Sequence, residues 1–169
     1  MMHTRTIKPK SGPPLLVRPL RNRDVETVLA LFARLGDESR RLRFNGPKPR
    51  LGDVDLQQLA RVDANHHVLV AYVDPDPEPV AIARLVRDGG KAEIAFAVAD
   101  GYHQRGIGSA LTRELITDAR VAGVTEVTAL VSSDNPAALA LLRRTLHALE
   151  IRLDGPEYWI RAKLGPSFP

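Results

Sequence analysis

The run Tyr102-His103-Gln104-Arg105-Gly106-Ile107-Gly108-Ser109-Ala110-Leu111 constrains the fold of this chain more than any other segment. It follows a strand-like stretch, Ala92 to Ala99. It opens a segment from about Gly106 to Ala122 with Ile107, Leu111, Leu115 and Ala119 at helical spacing. Strand, glycine-bearing turn and helix in that order bring backbone N–H groups to the positive end of a helix dipole, which makes an anion cradle. A nucleoside-triphosphate loop needs Lys and Ser/Thr after its last glycine, and Ser109-Ala110 follow Gly108 here. A dinucleotide fingerprint needs a third Gly or Ala where Leu111 stands. A glycine-rich helix start with no ligand is the remaining alternative.

The 169 residues suit one domain with a real core. No apolar run reaches the roughly 18–20 residues of a membrane span. The N-terminal Met1 to Lys10 lacks the apolar core of a secretory leader, so the cytoplasm is the expected location. With no cysteine, thiolate metal sites, disulfides and a cysteine nucleophile are excluded. Residues 1–50 carry 12 Lys/Arg against 4 Asp/Glu, within a chain of net charge +4. That basic end could meet nucleic acid, an anionic cofactor or an acidic protein.

Residues 1–14, rich in Pro and Lys, read as a flexible arm, and 165–169 as a tail. Leu15 to Leu20 is a short strand. Asn22 or Asp24 then caps a helix that Gly36 can end. Short helices follow over about Glu38 to Arg43 and Asp53 to Arg61. His67–Val73, Val80–Val86 and Ala92–Ala99 form a meander, with a hairpin signal at Asp88-Gly89-Gly90. After the glycine-led helix come a strand, Val124 to Ser132, and a helix begun by Asn135-Pro136 that buries Leu139, Leu142 and Leu146. A hairpin, Leu149–Leu153 with Tyr158–Leu164, ends the pattern. The expected fold is α/β (α+β), a single domain with a mixed, mainly antiparallel central sheet flanked by helices.

Phe96-Ala97-Val98-Ala99-Asp100-Gly101-Tyr102 followed by Gln104 to Leu111 resembles the acyl-CoA motif of the GNAT acetyltransferase superfamily. Ser132-Ser133-Asp134-Asn135-Pro136-Ala137-Ala138 is similar to its second motif, and the element order matches over roughly residues 15–164. Leu31 to Phe44 is similar to the helical segment of bacterial protein lysine acetyltransferases. Two positions depart from the family pattern. His103 stands where Gln or Arg is usual, and Leu142 stands where many members carry a tyrosine general acid.

The resemblance implies acetyl-CoA as co-substrate. The N–H groups of Gln104, Arg105, Gly106, Ile107, Gly108 and Ser109 would face its pyrophosphate, with Arg105 adding a charged contact. Phe96, Ala97 and Val98 would pair with the pantetheine amides, and the Val98 N–H would polarise the thioester carbonyl. Asn135 either bonds the CoA arm or caps its helix. The acceptor is expected to be an amine, and a protein lysine is the favoured one. Lysine is protonated below its pKa of about 10.4, so a base is needed. Glu93, on the face shared with Ala95 and Ala97, is the candidate, because similar enzymes place a catalytic glutamate on this strand. Tyr102 or Ser133 could replace the missing acid. A thiolate with a pKa near 8.5 can also leave without one.

His66 and His67 could line the acceptor cleft but face opposite ways, so no metal site is expected. Tyr158 and Trp159 read as packing residues. Three alternatives stay open: a non-catalytic acyl-CoA-binding module, a small-molecule amine acetyltransferase and, more weakly, a nucleic-acid reader. A homodimer is compatible with the sequence.

Overall fold

The computed structural model describes residues 3–166. Its eight strands are β1 (Arg5–Ile7), β2 (Leu15–Pro19), β3 (His66–Tyr72), β4 (Ala81–Asp88), β5 (Lys91–Val98), β6 (Glu126–Ser132), β7 (Glu150–Asp154) and β8 (Glu157–Lys163). They form one sheet in the order β1-β2-β3-β4-β5-β6-β8-β7. Every neighbouring pair is antiparallel except β5 and β6. The expected GNAT-like α/β architecture is the one observed. No helix among the described residues is long and apolar enough to cross a membrane.

Helix α4 (Ile107–Val121) covers one face. Its side chains Ile107, Leu111, Leu115 and Ala119, the predicted stripe, are all buried, with Ile116 beside them. They pack on Leu69, Leu85 and Ile94 of the meander. Each large aliphatic side chain so buried contributes about 1.5–3 kcal/mol. Helices α1 (Val25–Phe32) and α3 (Asp53–Leu59) close the opposite face over Val68, Val70 and Ile82. The α1 cap is Asp24, whose Oδ1 accepts the Thr27 N–H at 3.1 Å. Asn22 instead accepts the Val62 N–H at 3.0 Å. Gly36 does not end α1 but precedes α2 (Asp37–Phe44), and its N–H donates to Asp100 at 3.0 Å.

The arm expected to be flexible is partly structured. β1 pairs with β2 through Arg5↔Val17 to Ile7↔Leu15, and Pro9 is buried. Arg5 donates twice to Asp118 of α4, at 2.9 and 3.2 Å, and reaches Glu114 at 3.0 Å. A three-residue strand is too short to show periodicity, and only its partners reveal it. Positions 1–2 of the arm and 167–169 of the tail lie outside the described residues.

Candidate active site

The parallel ladder between β5 and β6 stops early. It runs from Lys91↔Glu126 to Glu93↔Thr128, after which the strands part. Strand β6 continues beside β8 to Ser132↔Glu157, and β5 continues beside β4 to Val98↔Ala81. The Ala99 N–H donates to Val80 O at 2.8 Å, so odd-numbered residues of β5 point their backbone groups at β4. The backbone groups of Ile94, Phe96 and Val98 therefore point at the gap left by β6. Ala129, Leu130 and Val131 line its other side. The cleft that widens from this seam measures about 850 Å³.

The turn into α4 closes one end of the cleft. Gln104 and Gly106 both adopt positive φ, 60° and 76°. This left-handed backbone aims the following N–H groups along the start of α4, where the helix dipole is positive. A Cβ on Gly108 would lie 2.8 Å from Leu141 Cδ1 and 3.2 Å from Val98 Cγ2, so a larger residue would have to displace these side chains where α4 starts against β5 and α5. Gln104, Gly106, Ile107, Gly108 and Ser109 all line the cleft. Phe96, Ala97 and Val98 line it as well. The donor set, open strand edge and missing Cβ atoms together fit an extended, amide-bearing ligand with a pyrophosphate.

Arg105 sits differently from the expectation. Its side chain is exposed, its guanidinium stacks 5.1 Å from the Tyr102 ring centre, and it is not among the cleft-lining residues. His103, the unusual residue of the turn, lines the cleft and approaches the Val98 carbonyl at 2.8 Å. The arm supplies residues that the sequence reading missed. Lys10 and Ser11 line the cleft, and Ser11 O would lie 2.8 Å from a Cβ on Gly106.

Glu93 is exposed and stands where the two strands separate. Its side chain shares a face with Ala95 and Ala97, opposite Ile94, Phe96 and Val98. It is not among the residues lining the 850 Å³ cleft. On its face lies a small hollow lined by Phe32, Arg43, Phe44, Arg84, Ala95 and Ala97. Burial, and then the nearby Arg84, push the Arg43 guanidinium down to about 10, and the Glu93 carboxylate opposes that shift. Arg84 is lowered by burial and by Arg61, with Asp63 and Glu93 opposing. Arg84 Nη1 is buried with no hydrogen-bond partner among the described residues.

Helix α5 (Pro136–Thr145) forms the far wall. Asn135 caps α5, its Oδ1 accepting the Ala138 N–H at 3.2 Å, and the residue also lines the cleft. Leu142 is fully buried in the main core, so the position that carries a tyrosine in many family members points away from the cleft here. The Tyr102 hydroxyl donates to Asp76 at 2.7 Å, which removes it as a ready proton donor. Ser133 is exposed and outside the cleft lining. His66 and His67 do not line the cleft either. His66 approaches Asp63 at 2.7 Å, and His67 approaches Asp118 at 2.8 Å on the α4 side. Tyr158 packs on the core, and Trp159 lies against Arg152 and Arg161.

Helix α2 roofs the opening. Phe32 and Phe44 meet edge-on at 6.1 Å, and Arg40 lies 4.0 Å over the Phe32 ring, which anchors the helix. Arg41 crosses to Asp134, in the β6–α5 loop, at 2.8 Å. The Ser132 hydroxyl and then Arg41 hold the Asp134 carboxyl below its ordinary range.

This open-seamed sheet with a glycine-led helix start defines an acetyltransferase fold, and the chain belongs to the Acetyltransferase (GNAT) family, whose model matches residues 33–148. It is 34% identical over 152 residues to Acetyltransferase Pat of Mycolicibacterium smegmatis, covering 88% of this chain and 45% of that protein. It is 33% identical over 131 residues to Acetyltransferase PA5475 of Pseudomonas aeruginosa, covering 75% of this chain and 70% of that protein. The chain thus spans less than half of the first relative. The crystal structure of the GNAT domain of S. lividans PAT superposes with a TM-score of 0.85 at 24% identity, covering 95% of this chain and 97% of that one.

Proposed function

We propose that this chain transfers the acetyl group of acetyl-CoA to an amine, with a protein lysine as the acceptor. The observation that carries the reading is the open β5/β6 seam running into the α4 cradle. Acetyl-CoA brings an activated thioester. The chain's residues bind, orient and move a proton around it. The N–H groups from Gln104 to Ser109 hold the pyrophosphate. The pantetheine arm takes the place of the missing β6 partner and is fixed by the Phe96 and Val98 backbone groups of β5. The Val98 N–H then faces the position where negative charge grows on the carbonyl oxygen.

The amine enters from the Glu93–Ala95–Ala97 face, where alanine side chains leave room beside the seam. Glu93 stands five residues along β5 from Val98, about 16 Å, and accepts the ammonium proton through intervening water. Arg43 and Arg84 stand beside this path, and two guanidiniums repel a polycation. That favours a single lysine on a larger molecule over a polyamine. The exposure of Glu93 supports the same choice.

The test is CoA release from acetyl-CoA with a panel of lysine-bearing proteins and small amines. Release with proteins above that with small amines is expected. Release only with small amines would replace the acceptor class. Buried Leu142 supports a second reading, a binding module without transfer. It predicts thermal stabilisation by acetyl-CoA with no release to any acceptor.

A further inference from the structure

We propose that Arg113 and Arg144, with the Ser109 hydroxyl, form a recognition site for the ribose 3′-phosphate of CoA. This assignment rests on the acyl-CoA reading of the cleft. Arg144, near the end of α5, directs Nε and Nη2 at Ser109 Oγ at 3.4 and 3.3 Å. Arg113 follows Ser109 by one turn on the same face of α4, about 6 Å along the axis. Its Nη2 donates to the Arg144 carbonyl at 3.5 Å, which masks a negative group at the α5 C-terminus. All three residues line the cleft.

Two features mark this cluster as a ligand site rather than a structural one. Neither arginine forms an ion pair among the described residues, although this chain pairs arginines with carboxylates elsewhere, as at Arg5, Arg34 and Arg41. Ser109 is 7% exposed, accepts from Arg144 and donates to no acceptor among the described residues. Two guanidiniums and one hydroxyl proton thus converge on one patch with no anion to receive them.

The position of the patch selects the anion. With the pyrophosphate at the α4 start and the pantetheine running to the Val98 edge, the nucleoside must leave the other way, toward α5. The ribose 3′-phosphate lies one sugar beyond the pyrophosphate, and the arginines stand one helical turn beyond the cradle. A dianionic phosphate matches forked guanidinium donors.

The experiment compares dissociation constants for acetyl-CoA and acetyl-3′-dephospho-CoA by titration calorimetry. The proteins are the unaltered chain, Arg113→Gln, Arg144→Gln, the double variant and Arg144→Lys. The unaltered chain should prefer acetyl-CoA about ten-fold. The double variant should lower that ratio to about one or two, and Arg144→Lys should retain part of it. The ratio should also shrink as salt rises. Unfolding curves without ligand check that the exposed substitutions leave the fold intact. Equal binding of both thioesters by the unaltered chain, or an unchanged ratio in the double variant, overturns the 3′-phosphate assignment alone. Binding of neither thioester overturns the acyl-CoA reading and this site with it.

Discussion

His103 Nε2 stands 2.8 Å from the carbonyl oxygen of Val98 and ties the turn before α4 to the last residue of β5. A carbonyl only accepts, so Nε2 carries the proton. The imidazole thereby holds the strand end whose N–H faces the seam. His103→Ala should weaken acetyl-CoA binding about three- to ten-fold, while His103→Gln, which keeps a donor of similar reach, should stay within about two-fold. Equal losses for both variants in a binding titration would show that the bond does not matter.

Gly106 combines a φ of 76° with Ser11 O only 2.8 Å from where a Cβ would sit. Gly106→Ala should cost about 1–3 kcal/mol, from left-handed strain and from displacing the arm. It should also lower acetyl-CoA affinity, because the same turn aims the cradle. Thermal unfolding with and without acetyl-CoA reads both effects. An unchanged melting temperature would mean that the arm yields freely.

Glu93→Gln keeps the size of the side chain and removes its basicity. Turnover should fall about 100-fold or more, with acetyl-CoA affinity nearly unchanged. Raising the pH should recover part of the activity, since more of the acceptor amine is then neutral. Steady-state kinetics with a lysine-bearing protein test this. Turnover equal to that of the unaltered chain would remove Glu93 from the proton path.

Asp118 joins Arg5 of β1 and His67 of β3 to α4. Burial raises its pKa, but the hydrogen bonds from His67 and Arg5 outweigh that and leave it below the ordinary value. A lowered carboxyl contributes stability that is full above its unfolded pKa of about 3.9 and is lost as pH falls through the folded value. Asp118→Asn should therefore cost about 1–3 kcal/mol near neutral pH. In denaturant titrations the difference should shrink below about pH 4. A constant difference down to acid pH would assign the loss to packing instead.

Patterning made the α4 stripe readable, because Ile107, Leu111, Leu115 and Ala119 repeat over four turns of one helix. The glycine-led turn was legible for a similar reason: its residues are contiguous, so spacing alone places them. Arg105 shows the limit of that reading, since loop position does not say which way a long side chain folds, and Tyr102 offers it a ring to lie on. Lys10, Ser11 and Arg144 escaped notice because each reaches the cleft from an element distant in sequence. Arg113 carried a faint signal, one turn after Ser109, which only its neighbour on α5 makes meaningful. The burial of Leu142 was legible as well, as one member of the Leu139, Leu142 and Leu146 stripe of α5, of which Leu139 is only partly buried.

The three-pair ladder between β5 and β6 makes the sheet two antiparallel leaves sewn together at one margin. Pantetheine laid along Phe96 and Val98 would add stitches beyond Thr128, so the substrate would brace the scaffold as well as supply the acetyl group. Backbone amides of Ile94, Phe96, Val98 and the start of α4 should then exchange hydrogen more slowly with acetyl-CoA bound, while those of β2 and β3 change little. Release of CoA after transfer would relax the same margin, so that each turnover would open and close the sheet at this short ladder.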